Sequence, residues 1–375
     1  MAIKYLDAKR LQGTNAERLA LATTPQTNAT SWKLIDRSST LESVGSGKNI
    51  RVPTSSGSFT AKDNMMIITN SVSEGSMTQF DMNFNEDFNT NYWWNLSTNA
   101  SSGTSQDDTW WIGLGGDDGS SDNHCFSVTQ LKHIASKDKV GYTDGCFAQV
   151  GSANVPSRRK VTGKWTPSSS TAITDITYSN MNGASGSMSS GEVLVLGCDD
   201  DEADSGTPFF EWLTSATLDS VADTISTSTF AKKNYLFVEF YTPNQNDEDF
   251  DLAVQFNDDT TTAYADRFHI GFDGGSQSAG DRTSMRLNHS ASSVDAADSF
   301  ASCFIINKTG QEKMMQGNTV DFGTAGADTV PDTYQFVGKW ANTSDKIEKI
   351  TFFNMDSTGT AEMGAGTSVT VWGAD

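Results

Sequence analysis

Four histidines, His124, His133, His269 and His289, are the first residues to test for acid–base or metal chemistry. None has the HxH or HExxH spacing that brings two imidazoles to one ion. Gly45-Ser-Gly-Lys-Asn49 has the outline of a phosphate loop. It fails in detail, because Glu42 stands where the first glycine is needed and Asn49 replaces Ser or Thr. No G-x-S-x-G nucleophile elbow occurs. Carboxylates are too numerous for a glycosidase pair to be singled out. The sequence therefore predicts a protein that is not an enzyme and needs no cofactor.

Two acidic runs invite a cation reading. Asp199-Asp-Asp-Glu-Ala-Asp204 sits mid-chain, and Asn246-Asp-Glu-Asp-Phe-Asp251 follows later. Hard oxygen ligands of this kind suit a structural Ca²⁺, with Asp199, Asp200, Asp201 and Asp204 as the candidate ligands. Neither run has the alternating EF-type pattern, and a solvated acidic loop is the plainer reading.

The aromatic pairs Trp93-Trp94 and Trp110-Trp111 are candidates for a subunit interface or for stacking on glycans. In a strand, one member of each pair faces inward and the other outward. Cys146 and Cys303 each precede Phe and read as buried free thiols, while a Cys125–Cys146 bridge is the weaker alternative.

The elements that must position these residues come from a tandem duplication. Phe59-Thr-Ala-Lys-Asp-Asn64 and Phe230-Ala-Lys-Lys-Asn234 each precede an apolar run. Phe84-Asn-Glu-Asp87 leads to Tyr92, and Phe256-Asn-Asp-Asp259 leads to Tyr264. These turns suit Asn and Asp, whose side chains can close on their own backbone. Gly163-Lys-Trp165 answers Gly338-Lys-Trp340, so Trp165 and Trp340 read as core. Ile176-Thr-Tyr178 answers Ile350-Thr-Phe352, and Val193–Gly197 answers Val369–Gly373. Two further matches are Trp111-Ile-Gly-Leu114 with His269-Ile-Gly-Phe272, and Cys146-Phe147 with Cys303-Phe304. This alignment places an insertion near 95–108 in the first copy and a longer loop near 307–329 in the second.

Apolar runs of four to seven residues, bounded by Gly, Asn, Ser or Asp, are strand-sized. Tyr235–Tyr241 is apolar on both faces except at Glu239, which reads as a central strand. The expected fold is all-β: two tandem jelly-roll-like β-sandwich domains at 32–204 and 205–375, behind an N-terminal arm at 1–31. Helices remain an option in 1–24 and 129–138. The arm carries Lys4, Tyr5, Lys9, Arg10 and Leu11 and reads as an anchor onto a neighbouring subunit.

Composition narrows the partners. The chain has 375 residues, with 47 Asp+Glu against 26 Lys+Arg and a formal charge of −21. That charge disfavours nucleic acid and anionic membranes. No apolar run reaches the 18 residues of a membrane-spanning helix, and the first ten residues lack a signal-peptide core.

The opening Lys4-Tyr-Leu-Asp-Ala-Lys-Arg-Leu-Gln-Gly13, the Phe256-Asn-Asp-Asp turn with Tyr264, and the closing block of Gly338-Lys-Trp340, Ile347–Phe353 and Gly366–Gly373 resemble virion structural proteins of tailed phages, especially marine ones. The resemblance covers most of both copies and supplies no catalytic residues. It implies a non-enzymatic protein at the virion surface, made in the host cytoplasm. An exterior capsid decoration or head-surface role comes first, with other virion proteins and further copies of itself as partners. The alternatives are a tail or fibre protein binding a host surface glycan, and a cell-surface or filament-forming structural protein.

Overall fold

The computed structural model describes residues 32–44, 47–54, 57–74, 80–99, 102–113, 123–167, 171–179, 187–200, 207–243, 250–270, 276–288, 298–321, 331–355 and 362–375. The first half contains β1 (Lys33–Ser38), β2 (Leu41–Val44), β3 (Gly47–Val52), β4 (Asn64–Glu74), β5 (Phe80–Phe84), β6 (Tyr92–Ser97), β7 (Ser102–Asp107), β8 (Trp110–Gly113), β9 (Asn123–Lys132), β10 (Lys139–Gln149), β11 (Ser157–Trp165), β12 (Ile176–Ser179) and β13 (Ser187–Cys198). The second contains β14 (Glu211–Thr217), β15 (Thr224–Ser226), β16 (Tyr235–Thr242), β17 (Leu252–Phe256), β18 (Tyr264–Ile270), β19 (Ser276–Arg282), β20 (Met285–Arg286), β21 (Ser299–Ile306), β22 (Lys313–Asp321), β23 (Asp332–Trp340), β24 (Ile350–Asn354) and β25 (Ser368–Ala374). No described residue is helical.

Both halves are β-sandwiches with the same strand order. The large sheets run β1-β13-β4-β9-β10-β11-β6-β7 and β14-β25-β16-β21-β22-β23-β18-β19. The small sheets run β2-β3-β12-β5-β8 and β15-β24-β17-β20, so β2 is the one strand of the first without a counterpart among the described residues. All pairings are antiparallel.

Side-chain alternation gives each large sheet two apolar faces. In β4, Met65 and Ile67 enter the first sandwich core, while Met66 and Ile68 enter a separate cluster between the halves. In β13, Val193 and Val195 point into the core and Leu194 and Leu196 into that joint. In β16, Leu236, Val238 and Phe240 are core, while Tyr235 lies in the joint and Phe237 packs against it. The apolar character of Tyr235–Tyr241 on both faces thus has two causes, one within the sandwich and one between sandwiches.

Strand pairing corrects the sequence alignment in several places. Gly197 and Gly373 are equivalent: an added Cβ would meet Ile35 and Lys62 in the first, Leu213 and Lys233 in the second. Lys62 therefore matches Lys233 and Asp63 matches Asn234, so setting Asn64 against Asn234 at the ends of the two entry segments is one residue out of register. Cys146 lies in β10 and Cys303 in β21, whose counterpart is β9, so they are not equivalent. Trp111 lies in the small sheet and His269 in the large one, so that match also falls. The counterpart of Trp110 is Met285, since each lies where a Cβ on Gly163 or Gly338 would fall. No insertion exists near 95–108: β6 and β7 form a hairpin matched by β18 and β19. The segment 307–329 is not simply a loop, because it contains β22, the counterpart of β10. Residues 129–132 belong to β9 rather than to a helix, and the described cysteines are all free. Sequence matching slipped because short β-branched and aromatic words recur by chance, whereas ladder register is set by every pair at once.

Candidate functional site

The paired turns come first, because they hold the largest buried side chains. Asn85 and Glu86 both have positive φ, as do Asn257 and Asp258. Two successive residues in that region make a tight turn that Asn and Asp tolerate best, and it carries the chain from the small sheet to the large one. Asn85 donates to the Ala172 carbonyl at 2.7 Å and accepts from the Thr174 amide at 2.8 Å. Asn257 repeats this with the Lys346 carbonyl at 3.0 Å and the Glu348 amide at 2.9 Å. The turn then presents Asp87 to the Trp165 indole at 2.8 Å and Asp259 to the Trp340 indole at 2.7 Å. Burial raises the pKa of both carboxyls, but hydrogen bonds from Asn91 and Trp165, and from Thr261 and Trp340, leave them below their ordinary values. The amides of Phe84 and Phe256 each donate to a tyrosine hydroxyl, Tyr92 or Tyr264, at 3.0 Å. These residues are scaffold.

A second shared set closes each repeat. Lys62 reaches Asp199 at 2.6 Å, and Lys233 reaches Asp375 at 3.0 Å. The backbone amides of Asp63 and Asn234 donate to the same two aspartates. Asp200 takes Lys132 at 2.6 Å. Asp199 and Asp200 therefore face ammonium groups, which hold both carboxyls below their ordinary pKa. A cation at those two would compete with an ammonium charge already in place. Asp201 and Asp204 lie outside the described residues. Asp251, at the end of the other acidic run, faces Arg286 at 3.4 Å. Among the described residues no group of three His, Cys, Asp or Glu side chains could hold a metal ion.

A third shared pair was not read from sequence. Lys139 and Lys313 start equivalent strands and bury their stems. Lys139 donates to the carbonyls of Ala135 and Lys137, and Lys313 to those of Gln311 and Asn342. Burial lowers both pKa values, that of Lys313 to about 8.

The tryptophans separate by burial. Trp110 is buried, and its indole donates to Thr143 at 3.2 Å. Trp93 is 47% exposed, and Trp94 is partly buried. Trp111 contributes its backbone to β8, and its side chain lies outside the described residues. Trp93 lies beside exposed Val140 and Lys164 in a shallow depression on the outer face of the first large sheet. The residues of the proposed arm, Lys4, Tyr5, Lys9, Arg10 and Leu11, lie outside the described residues.

The joint between the sandwiches is the site that sequence reasoning missed. Leu194, Leu196, Phe126 and Val128 of the first half pack with Phe210, Ile306, Met314 and Trp372 of the second. Asn70 and Gln311 exchange two amide hydrogen bonds, both 3.1 Å. Lys339, fully buried, pairs with buried Glu312 at 3.0 Å and also donates to the Gln149 and Gly151 carbonyls of the first half. Glu312 accepts from the Gly151 amide at 2.7 Å. Burial lowers the Lys339 pKa against the pull of Glu312. Arg158 donates to Gln335 across the joint, and burial lowers its pKa to about 10.

No protein-family model and no curated protein matches the chain. Among solved structures, domains LG4-5 of the mouse laminin α1 chain are 9% identical, over 92% of this chain and 91% of that chain, with a TM-score of 0.19. The C2A and C2B domains of Extended-Synaptotagmin 2 are 4% identical, over 84% and 94%, with a TM-score of 0.12. At these scores neither likeness carries an argument, and the fold rests on the chain's own strand pairing.

Proposed function

We propose that the chain is a non-enzymatic structural subunit on the outside of a virus particle, with capsid decoration or head surface as its place. The observation that carries this reading is what the two repeats share. Asp87 and Asp259, Asp199 and Asp375, and Lys139 and Lys313 are polar side chains kept in both copies, and each is tied to its own fold. Duplication has preserved a scaffold. An apolar joint unites the copies into one two-lobed body, which suits a load-bearing exterior element. The charge of −21 keeps such bodies apart except where specific contacts are made. The Trp93–Val140 patch is such a contact surface, for further copies or other virion proteins.

Immunogold electron microscopy of purified particles with an antibody to this chain tests the reading. Label on the outer head surface is expected. Particles that contain none of the chain would overturn it, and label confined to the tail would move it to the fibre alternative.

A further inference from the structure

Beside the joint, the two large sheets leave a cavity of about 270 Å³. One wall is aromatic: Trp32, Phe210, Phe237 and Phe304 line it, with the Phe237 and Phe304 rings 4.9 Å apart. Gln316 lies beside these rings, as the cross-strand neighbour of Phe304, and Tyr142 and Asp144 of the first half line the facing wall. Tyr142 is 37% exposed, so the cavity reaches solvent at that edge.

Gln316 is the informative residue. Its side chain is 3% exposed, and neither its amide nitrogen nor its amide oxygen has a partner among the described residues. Buried amides left unmade are costly, so such a group implies something that donates and accepts beside it. Asp144 adds an acceptor whose pKa is raised by burial and drawn back by Lys160 and Arg158.

The chemistry of the walls restricts the occupant. A purely apolar guest would leave the Gln316 amide desolvated and unpaired. An anion would meet Asp144 at close range. Water alone satisfies Gln316 but leaves the ring-lined wall facing solvent, and the space exceeds a single water's share of about 30 Å³ several times. A neutral ring with an apolar face and hydroxyls at its edge answers the phenylalanine rings, the Gln316 amide beside them and Asp144 across the cavity.

We propose that this cavity binds one hexose ring of a neutral glycan. The C–H face of the sugar stacks on the Phe237–Phe304 rings, its hydroxyls exchange hydrogen bonds with the neighbouring Gln316 amide and with Asp144 across the cavity, and the Tyr142 ring closes over it at the exposed rim. The site is separate from the Trp93 depression and belongs to a single chain, so it stands whatever the location of the protein on a particle.

Calorimetric titration of the full chain with glucose, galactose, mannose and N-acetylglucosamine at millimolar concentration tests this. At least one sugar binds with one site per chain. Gln316→Leu and Tyr142→Ala each weaken it at least about tenfold, as expected where a polar or stacking contact is lost. Trp93→Ala leaves it unchanged. No binding of any of the four sugars, which would mean that water alone fills the space, overturns the proposal. So does binding that survives Gln316→Leu or is lost in Trp93→Ala. If Gln316→Leu does not fold, Tyr142→Ala at the exposed rim decides alone, and binding that survives it is the overturning result.

Discussion

Lys164 and Lys339 occupy the same place in the two repeats, each just before the core tryptophan, and their surroundings are opposite. Lys339 is fully buried and bonded to Glu312 at 3.0 Å. Lys164 is 46% exposed and lies 4.0 Å from Asp138. Their strand neighbours diverge likewise. Met314 is buried in the joint where Val140 is 51% exposed, and Ala265 is buried where Trp93 is exposed. The inward residues of both sheets hardly differ in role. Duplicated sandwiches therefore hold their inner face for folding and spend their outer face on association, and only one of the two outer faces is covered at this end of the sheet.

The largest expected effect breaks that comparison directly. Lys339→Ala leaves the buried Glu312 carboxylate without its ammonium and should cost about 3–5 kcal/mol in chemical denaturation. Lys164→Ala should cost under about 0.5 kcal/mol, since an exposed pair contributes little. Equal costs for the two would mean that the joint is open in solution.

The next effect should be the same in both repeats. Trp165→Phe and Trp340→Phe each remove an indole donor to a carboxylate, Asp87 or Asp259. A loss of about 1.5–3 kcal/mol is expected for each, the range for hydrogen bonds to charged groups. Denaturation curves that separate them widely would show that the turn matters in one copy only.

A pH experiment sharpens the contrast further. His133 and Asn307 fill one role. The Ile173 amide donates to His133 Nε2 at 3.2 Å, and the Ile347 amide donates to Asn307 at 2.6 Å. Burial, then Lys139, lowers the His133 pKa. The unfolded chain takes up this proton near pH 6.5 while the folded one resists it. The contribution of His133 is complete above about pH 6.5 and is lost as pH falls below it. His133→Asn, which copies the second repeat, should flatten the dependence of melting temperature on pH between about 6.5 and 5. An unchanged slope would assign the acid sensitivity elsewhere.

The smallest change is expected at the surface. Trp93→Ala should shift stability by under about 0.5 kcal/mol, because its counterpart Ala265 already lacks the ring. Its effect belongs in self-association, measured by analytical ultracentrifugation.

Much of the fold was legible in the chain itself. Short apolar runs between Gly, Asn and Asp specify strands, and the Phe-Asn-x-Asp and Gly-Lys-Trp words specify a repeated unit, because tight turns and buried indoles admit few residue types. Those words reveal the duplication and the core tryptophans. The sequence could not say which apolar residues face their own sandwich and which face the other. Leu194 and Val195 are adjacent and alike in chemistry, yet one packs in the joint and the other in the core. Nor could it separate Trp93 from Trp110, or show that Asp199 meets Lys62. Alternation tells which residues share a face, but what covers that face depends on how two sheets far apart in sequence come to rest on each other. That packing, by burying Lys339 and leaving the Gln316 amide unpaired among the described residues, is what the tertiary structure alone decided.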